Sequence, residues 1–234
     1  MSFETVKTEL SNKIRPLDKQ RKPSTDAYPK NSGYFLWAIC GMKGSGKTTL
    51  VYNLLLHHLK GYYDNIYLVS TTAKNDKKMA DLIDELGEEE KIYTECTPAT
   101  VNEILERLQE AVDEGAKNNL VIFDDCIHQL PKSTQKNSAF NRLITTMRHY
   151  KTDVWITTQS YLKLNTIVRS NMDLFSIFHT NNKKELKSVM EDLAINEDLF
   201  EKLYDFATQD NSFLHVSFAN GKPLFFKKFD RIVI

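Results

Sequence analysis

No apolar run in this 234-residue sequence approaches the roughly 18 residues that a membrane-spanning helix needs, and the opening stretch MSFETVKTELSNKIRP lacks the apolar core of a secretory signal. The chain is therefore expected to stay inside a cell. Cysteine is scarce as well. Cys40, Cys96 and Cys126 are odd in number and form no C-x-x-C pair, which speaks against a disulfide framework or a zinc site and for small buried thiols. Net charge is also absent, with 31 basic residues against 31 acidic ones, but the balance hides a polarity along the chain. Residues 81–114 hold twelve acids against Lys91 and Arg107, whereas residues 129–151 hold Lys132, Lys136, Arg142, Arg148 and Lys151 and no acid. One face is expected to repel a polyanion and another to attract it. The plainer reading, that the acidic block only solvates two helices, stays open.

What is present is an ordinary globular composition, 41% hydrophobic and 26% charged, long enough for one core and one domain. Strand-like runs occur at 34–40, 65–71, 119–125, 153–159, 174–180, 213–218 and 224–229. Helical periodicity lies between them at about 47–60, 75–87, 99–115, 138–150 and 183–206. Near-continuous apolar strands flanked by helices predict a mostly parallel sheet covered on both faces. The last two strands are expected to form an antiparallel hairpin around Asn220-Gly221, a favoured turn pair. Residues 1–33 lack such periodicity, contain Pro16, Pro23 and Pro29, and carry seven Lys/Arg against four acids. They read as an N-terminal arm or linker before a domain at 34–234.

Between the first strand and the first helix, GMKGSGKT satisfies G-x-x-x-x-G-K-[ST] from Gly41 to Thr48. This is the phosphate-binding P-loop, and it makes the α/β fold that of a P-loop NTPase, a three-layer α/β/α arrangement. Glycines let successive backbone N–H groups face phosphate oxygens, and the helix that follows adds its dipole. The expected nucleotide-binding residues are Gly41, Met42, Lys43, Gly44, Ser45, Gly46, Lys47, Thr48 and Thr49, with Lys47 on the β- and γ-phosphates of ATP and the Thr48 hydroxyl on Mg²⁺. A triphosphatase also needs a carboxylate at a neighbouring strand end, and NLVIFDDC supplies one as a Walker B pattern. Asp124 is expected to hold Mg²⁺ through water and Asp125 to orient or deprotonate the attacking water. Glutamate is common at the second position, and its longer arm reaches the water more easily than aspartate does. In DVWITTQS, Gln159 stands at a strand tip, where side chains converge on ligands, and is expected to bridge the Walker B region and the γ-phosphate.

The order GMKGSGKTTL, VIFDDC, RHYKTDVWITTQ and VRSNMDLFSIF, over about residues 34–195, resembles the DNA-packaging ATPases of large double-stranded DNA viruses and virophages, the poxvirus type within the FtsK/HerA superfamily. The more specific parts are Arg148-His149-Tyr150 before the glutamine strand and Arg169-x-Asn171-x-Asp173 before the next. The resemblance implies a homo-oligomeric ring, a pentamer or hexamer, that hydrolyses ATP and pumps double-stranded genomic DNA into a preformed capsid. It also implies capsid or portal-vertex partners and a place in the virion or the host cytoplasm. Ring motors of this type complete each site with an arginine from the adjacent subunit. Arg148 is the first candidate for that finger by its spacing after Walker B, and Arg169 and Arg142 are the alternatives. Lys132, Lys136 and neighbouring basic residues are expected to contact DNA phosphates without reading bases.

Two other classes share the P-loop. A nucleotide or nucleoside kinase needs an arginine-rich lid, yet the basic residues between Asp125 and Asp153 are spread out. A non-catalytic P-loop scaffold would bind nucleotide only to fix an oligomer. Hydrolysis separates the three: a motor is stimulated by DNA, a kinase needs a small acceptor, and a scaffold turns over nothing.

Overall fold

Five consecutive buried residues, Leu-Trp-Ala-Ile-Cys, form strand β1 (Leu36–Cys40), and only a strand covered on both faces accepts such a run. The computed structural model describes residues 27–28, 30, 33–72, 91–130, 138–218 and 222–233. Among them a nine-stranded sheet also contains β2 (Asn65–Ser70), β3 (Ile92–Tyr93), β4 (Asn119–Asp124), β5 (Thr152–Thr158), β6 (Leu174–Phe178), β7 (Phe213–Ser217), β8 (Leu224–Lys227) and β9 (Asp230–Arg231). Their order is β3-β2-β4-β5-β1-β6-β7-β8-β9. The strands are parallel from β3 across to β6, and β7, β8 and β9 each run antiparallel to the strand before. All seven expected strands are present, and β7 with β8 makes the expected antiparallel hairpin. The edge strands β3 and β9 have two residues each, too few for a sequence period to show.

Six α-helices are seen among the described residues: α1 (Lys47–Asn53), α2 (Pro98–Asp113), α3 (Ala139–Thr146), α4 (Thr166–Asn171), α5 (Lys183–Leu193) and α6 (Glu197–Thr208). A π-helical turn, Leu54–His58, continues α1 and closes with Leu59 N–H on the Leu54 carbonyl at 2.7 Å. Alternate strand residues serve opposite layers. Trp37, Ile39, Ile122 and Trp155 pack against Val51, Leu54 and Leu55 of α1 and its continuation. Leu36, Ala38, Phe123 and Ile156 face the other way, into a cluster with Leu105 of α2, Leu143 of α3, Val168 of α4, Val189 of α5 and Leu203 of α6. Helix, sheet and helix thus form the three layers of a P-loop NTPase.

Three differences from the sequence reading have local causes. The single helix expected over 183–206 is two, because Ala194 takes a left-handed φ of 51° and Asn196 starts α6 by accepting hydrogen bonds from Asp198 N and Leu199 N. Helix α4 has only six residues and stands on its cap, Asn165 Oδ1 accepting from Val168 N at 2.8 Å, rather than on a visible period. Ala27 and Tyr28, from the stretch expected to be an arm, pack on the sheet. The Tyr28 hydroxyl donates to Asp153 Oδ2 at 2.6 Å, its ring centroid lies 5.8 Å from that of Trp37, and the Ala27 carbonyl accepts from His215 Nε2 at 2.9 Å. The packed unit therefore begins ahead of the expected boundary at residue 34. Most of the expected arm, the helix at 75–87, the acids of residues 81–90, Lys132, Lys136 and the Asn220-Gly221 turn lie outside the described residues.

Candidate active site

The P-loop leaves the carboxyl end of β1, and the Gly41 N–H is tied to the Thr158 carbonyl of β5 at 3.1 Å. Its glycines are demanded by geometry. Gly44 and Gly46 have φ of 80° and 107°, and a Cβ on Gly41 would meet Ser45 Oγ at 2.5 Å and Phe178 Cβ at 2.9 Å. Gly46 also opens α1 without a side-chain cap, so the first amides of the helix are left to the loop. The Ser45 hydroxyl oxygen is buried and has no hydrogen-bond partner, a polar atom that a loop cradling an anion would use. Lys47 is buried and folds back on the loop, Nζ donating to the Gly41 carbonyl at 2.6 Å and the Met42 carbonyl at 3.1 Å. Burial lowers its pKa, while the carboxylates of Asp125 and Asp124 act in the opposite direction. The lysine ammonium, Asp124 and Asp125 therefore share one electrostatic neighbourhood.

Strand β5 lies between β1 and β4, and the register sets Cys40 beside Thr158 and Asp124 beside Thr157. The P-loop and the two acids thus open from the same edge of the sheet, separated by one strand. Asp124 is only 7% exposed, and its two oxygens accept from Thr157 Oγ1 at 2.7 Å and Ser70 Oγ at 3.3 Å. Burial raises its pKa, and those hydroxyls act in the opposite direction. A carboxylate so fixed, at the sheet edge from which the P-loop and its Thr48 also leave, has the chemistry to hold a hydrated Mg²⁺. Asp125 follows in a left-handed conformation, φ 49°, with its N–H held by both the carbonyl and the hydroxyl of Thr157, each at 3.1 Å. Such backbone settings persist where surrounding contacts enforce them, and here they turn the Asp125 side chain out of the strand direction.

Gln159 stands at the tip of the intervening strand, and its Nε2 donates to Asp125 Oδ2. Its neighbour Ser160 donates through Oγ to Glu185 Oε1 of α5. The structure therefore gathers Gly41 to Thr49, Asp124, Asp125 and Gln159 at one place. It does not bring the arginines there. Arg148 is exposed in the turn before β5, at the amino edge of the sheet, roughly 20 Å from the P-loop edge if β5 spans about 3.3 Å per residue. Arg169 pairs with Asp192 at 3.0 Å in its own chain, donates to Ser188 Oγ, and lies with its guanidinium carbon 5.7 Å from the Tyr161 ring centroid. Arg142 is exposed and reaches Asn102 Oδ1 at 3.3 Å. Thr157, Ser70 and Glu185 are site residues that the motifs did not indicate. None of the three carried a distinguishing signal: Thr157 is one of four polar residues in β5, and only the register sets it beside Asp124.

The fold has solved counterparts. The genome packaging NTPase B204 from Sulfolobus turreted icosahedral virus 2 in complex with AMP is 17% identical, with a TM-score of 0.65 over 86% of this chain and 98% of that one. The same protein in complex with ATP-gammaS gives 0.61 at 17% identity, covering 84% and 98%. B204 described as the DNA-packaging ATPase from Sulfolobus turreted icosahedral virus gives 0.61 at 19% identity, covering 85% and 98%. These likenesses establish the fold. No curated protein matches the sequence. The family described as poxvirus A32 protein matches residues 29–212, a span that takes in the P-loop, Asp124, Asp125, Gln159 and the helices behind them. By that match the chain belongs to the poxvirus A32 protein family.

Proposed function

We propose that this chain is an ATP-hydrolysing motor that packages double-stranded viral DNA into a preformed capsid, acting as a pentameric or hexameric ring at a capsid or portal vertex in the virion or the host cytoplasm. The observation that carries the reading is the meeting of P-loop, paired acids and strand-tip glutamine at one sheet edge, with Gln159 hydrogen-bonded to Asp125, in a chain of the poxvirus A32 protein family. The relatives' printed descriptions, a genome packaging NTPase with nucleotides bound and a DNA-packaging ATPase, support it.

ATP would supply the phosphoanhydride bond that is split, and Mg²⁺ would neutralise charge on its phosphates. The chain's own residues divide the work. Lys47 is held by two loop carbonyls and can exchange them for phosphate oxygens with little movement of the backbone. The Ser45 hydroxyl and the loop amides line the cradle, and Thr48, with Asp124 through water, would hold the metal. Asp125, whose backbone is fixed by Thr157, orients or deprotonates water, and Gln159 links that acid to the nucleotide state. Duplex DNA would be gripped through phosphates by basic residues including Lys132 and Lys136, so binding weakens steeply with salt and ignores sequence.

Turnover of ATP with Mg²⁺, measured with and without double-stranded DNA, tests the reading. Hydrolysis that accelerates on adding duplex supports a motor. Transfer of phosphate to a small acceptor would make the chain a kinase, and binding without hydrolysis a scaffold.

A further inference from the structure

Glu185 is the least expected charge in the described core. It is 5% exposed, and no cation makes an ion pair with it among the described residues. Burying a carboxylate without a counter-charge is costly, but only a carboxylate offers two acceptor oxygens, where the amide of glutamine offers one. Its position at the start of α5 offers partial relief through the helix dipole. Its two oxygens hold two different strand ends. Oε1 accepts from Ser160 Oγ, just past the tip of β5, and Oε2 accepts from Thr180 Oγ1, just past β6, at 3.4 Å. Those strands flank β1 on its two sides, so the carboxylate spans the root of the P-loop. Burial raises the pKa of the Cys40 thiol, the last residue before the loop, the Glu185 charge raises it further, and that of Lys47 lowers it.

The loop that carries Gln159 is therefore held on both sides. Before it, the Thr158 carbonyl accepts from Gly41 N–H of the P-loop. After it, Ser160 is held by Glu185. Thr180 is fixed in turn, its N–H donating to the Tyr204 hydroxyl at 2.6 Å, so the clamp has a rigid base in α6. We propose that Glu185 is a positioning residue for hydrolysis, acting through Ser160 to keep Gln159 on Asp125 at a set distance from the P-loop. The inference rests on the reading of the chain as an ATPase. Glu185 touches neither acid of Walker B, and its effect passes only through Gln159.

The test is steady-state ATP turnover and nucleotide affinity of the full chain with Glu185→Gln, Ser160→Ala, Gln159→Ala and the double variant Gln159→Ala/Glu185→Gln, with melting temperatures taken alongside. Glu185→Gln and Ser160→Ala are expected to lower kcat by about tenfold or more while nucleotide affinity and melting temperature stay close to wild type. The double variant is expected to be no slower than Gln159→Ala alone, since a residue that works through another adds nothing once that other is gone. Multiplying losses in the double variant, unchanged kcat in Ser160→Ala, or a normal Gln159→Ala would each overturn the inference. A loss of affinity or melting temperature in step with kcat would make Glu185 merely structural. Absence of turnover in the wild-type chain would instead defeat the ATPase reading itself.

Discussion

Among individual side chains, the separate roles proposed for Asp124 and Asp125 can be measured. Asp124 is buried between Thr157 and Ser70, whereas Asp125 turns outward to Gln159. Asp124→Asn is expected to weaken Mg²⁺-dependent nucleotide binding, and Asp125→Asn to keep nucleotide affinity while slowing hydrolysis by about a hundredfold or more. Equal loss of affinity in both variants would contradict the division. His215 offers a second test. Its Nε2–H donates to the Ala27 carbonyl and its Nδ1 lies 2.8 Å from Ser176 Oγ, a hydroxyl that can donate to the neutral ring, and burial lowers its pKa from 6.5 to about 4. A depressed folded-state pKa means that stability present above the unfolded value is lost as pH falls through that window. Burial also pushes the Asp153 carboxyl up to about 6, which changes stability with the opposite sign over an overlapping range. A difference measurement removes that term: by urea denaturation, the stability advantage of wild type over His215→Gln should shrink by about 2 kcal/mol from pH 7 to pH 4.5. A constant difference would show that His215 takes up its proton as readily in the folded protein as in the unfolded chain. The P-loop, the acids and Gln159 were legible in the sequence because motif spacing reports backbone geometry directly. Thr157 and Glu185 were not, since their roles depend on register and on a contact between residues 25 positions apart.

Within secondary-structure elements, the strands were legible and some of the helix boundaries were not. A strand buried on both faces shows as an unbroken apolar run, as β1 and β4 do. Helices α5 and α6 bury the same side of the sheet, so their period continues across the break and only Ala194 and the Asn196 cap mark it. Ala194 at φ 51° carries the steric cost of a Cβ in the left-handed region. Ala194→Gly is expected to stabilise the chain by about 0.5 to 1 kcal/mol, the relief of that cost exceeding the added freedom of the unfolded chain. Chemical denaturation reads the shift, and destabilisation by the glycine would mean that the alanine methyl contributes more in packing than it costs in conformation. Tyr28 and Ala27 were hidden for a different reason. Their partners, Asp153 and His215, lie more than a hundred residues away, and nothing local distinguishes a docked strap from a linker.

For the molecule as a whole, the distance of Arg148 from its own P-loop edge bears on assembly. A side chain at the amino edge of the sheet cannot reach a site at the carboxyl edge of the same chain, so any catalytic role for it must be exercised on a neighbour. Arg169 would first have to leave Asp192, which keeps Arg148 ahead of it as a candidate. Mixing Lys47→Ala subunits with Arg148→Ala subunits is then expected to restore part of the turnover that each lacks, because some interfaces pair an intact P-loop with an intact arginine. Mixed rings that form without recovering activity would exclude Arg148, and the same mixture with Arg169→Ala would test the alternative.

Movement along DNA is the most direct test of the proposed motor. A triplex-forming oligonucleotide bound to a long duplex is displaced by a translocating ring, and release of its label can be followed as ATP is consumed. Wild-type protein with ATP and Mg²⁺ should release the third strand from duplexes of unrelated sequence, while Lys47→Ala, or wild type with a non-hydrolysable analogue, should leave it bound. Hydrolysis at full rate with the third strand still in place would contradict a packaging motor.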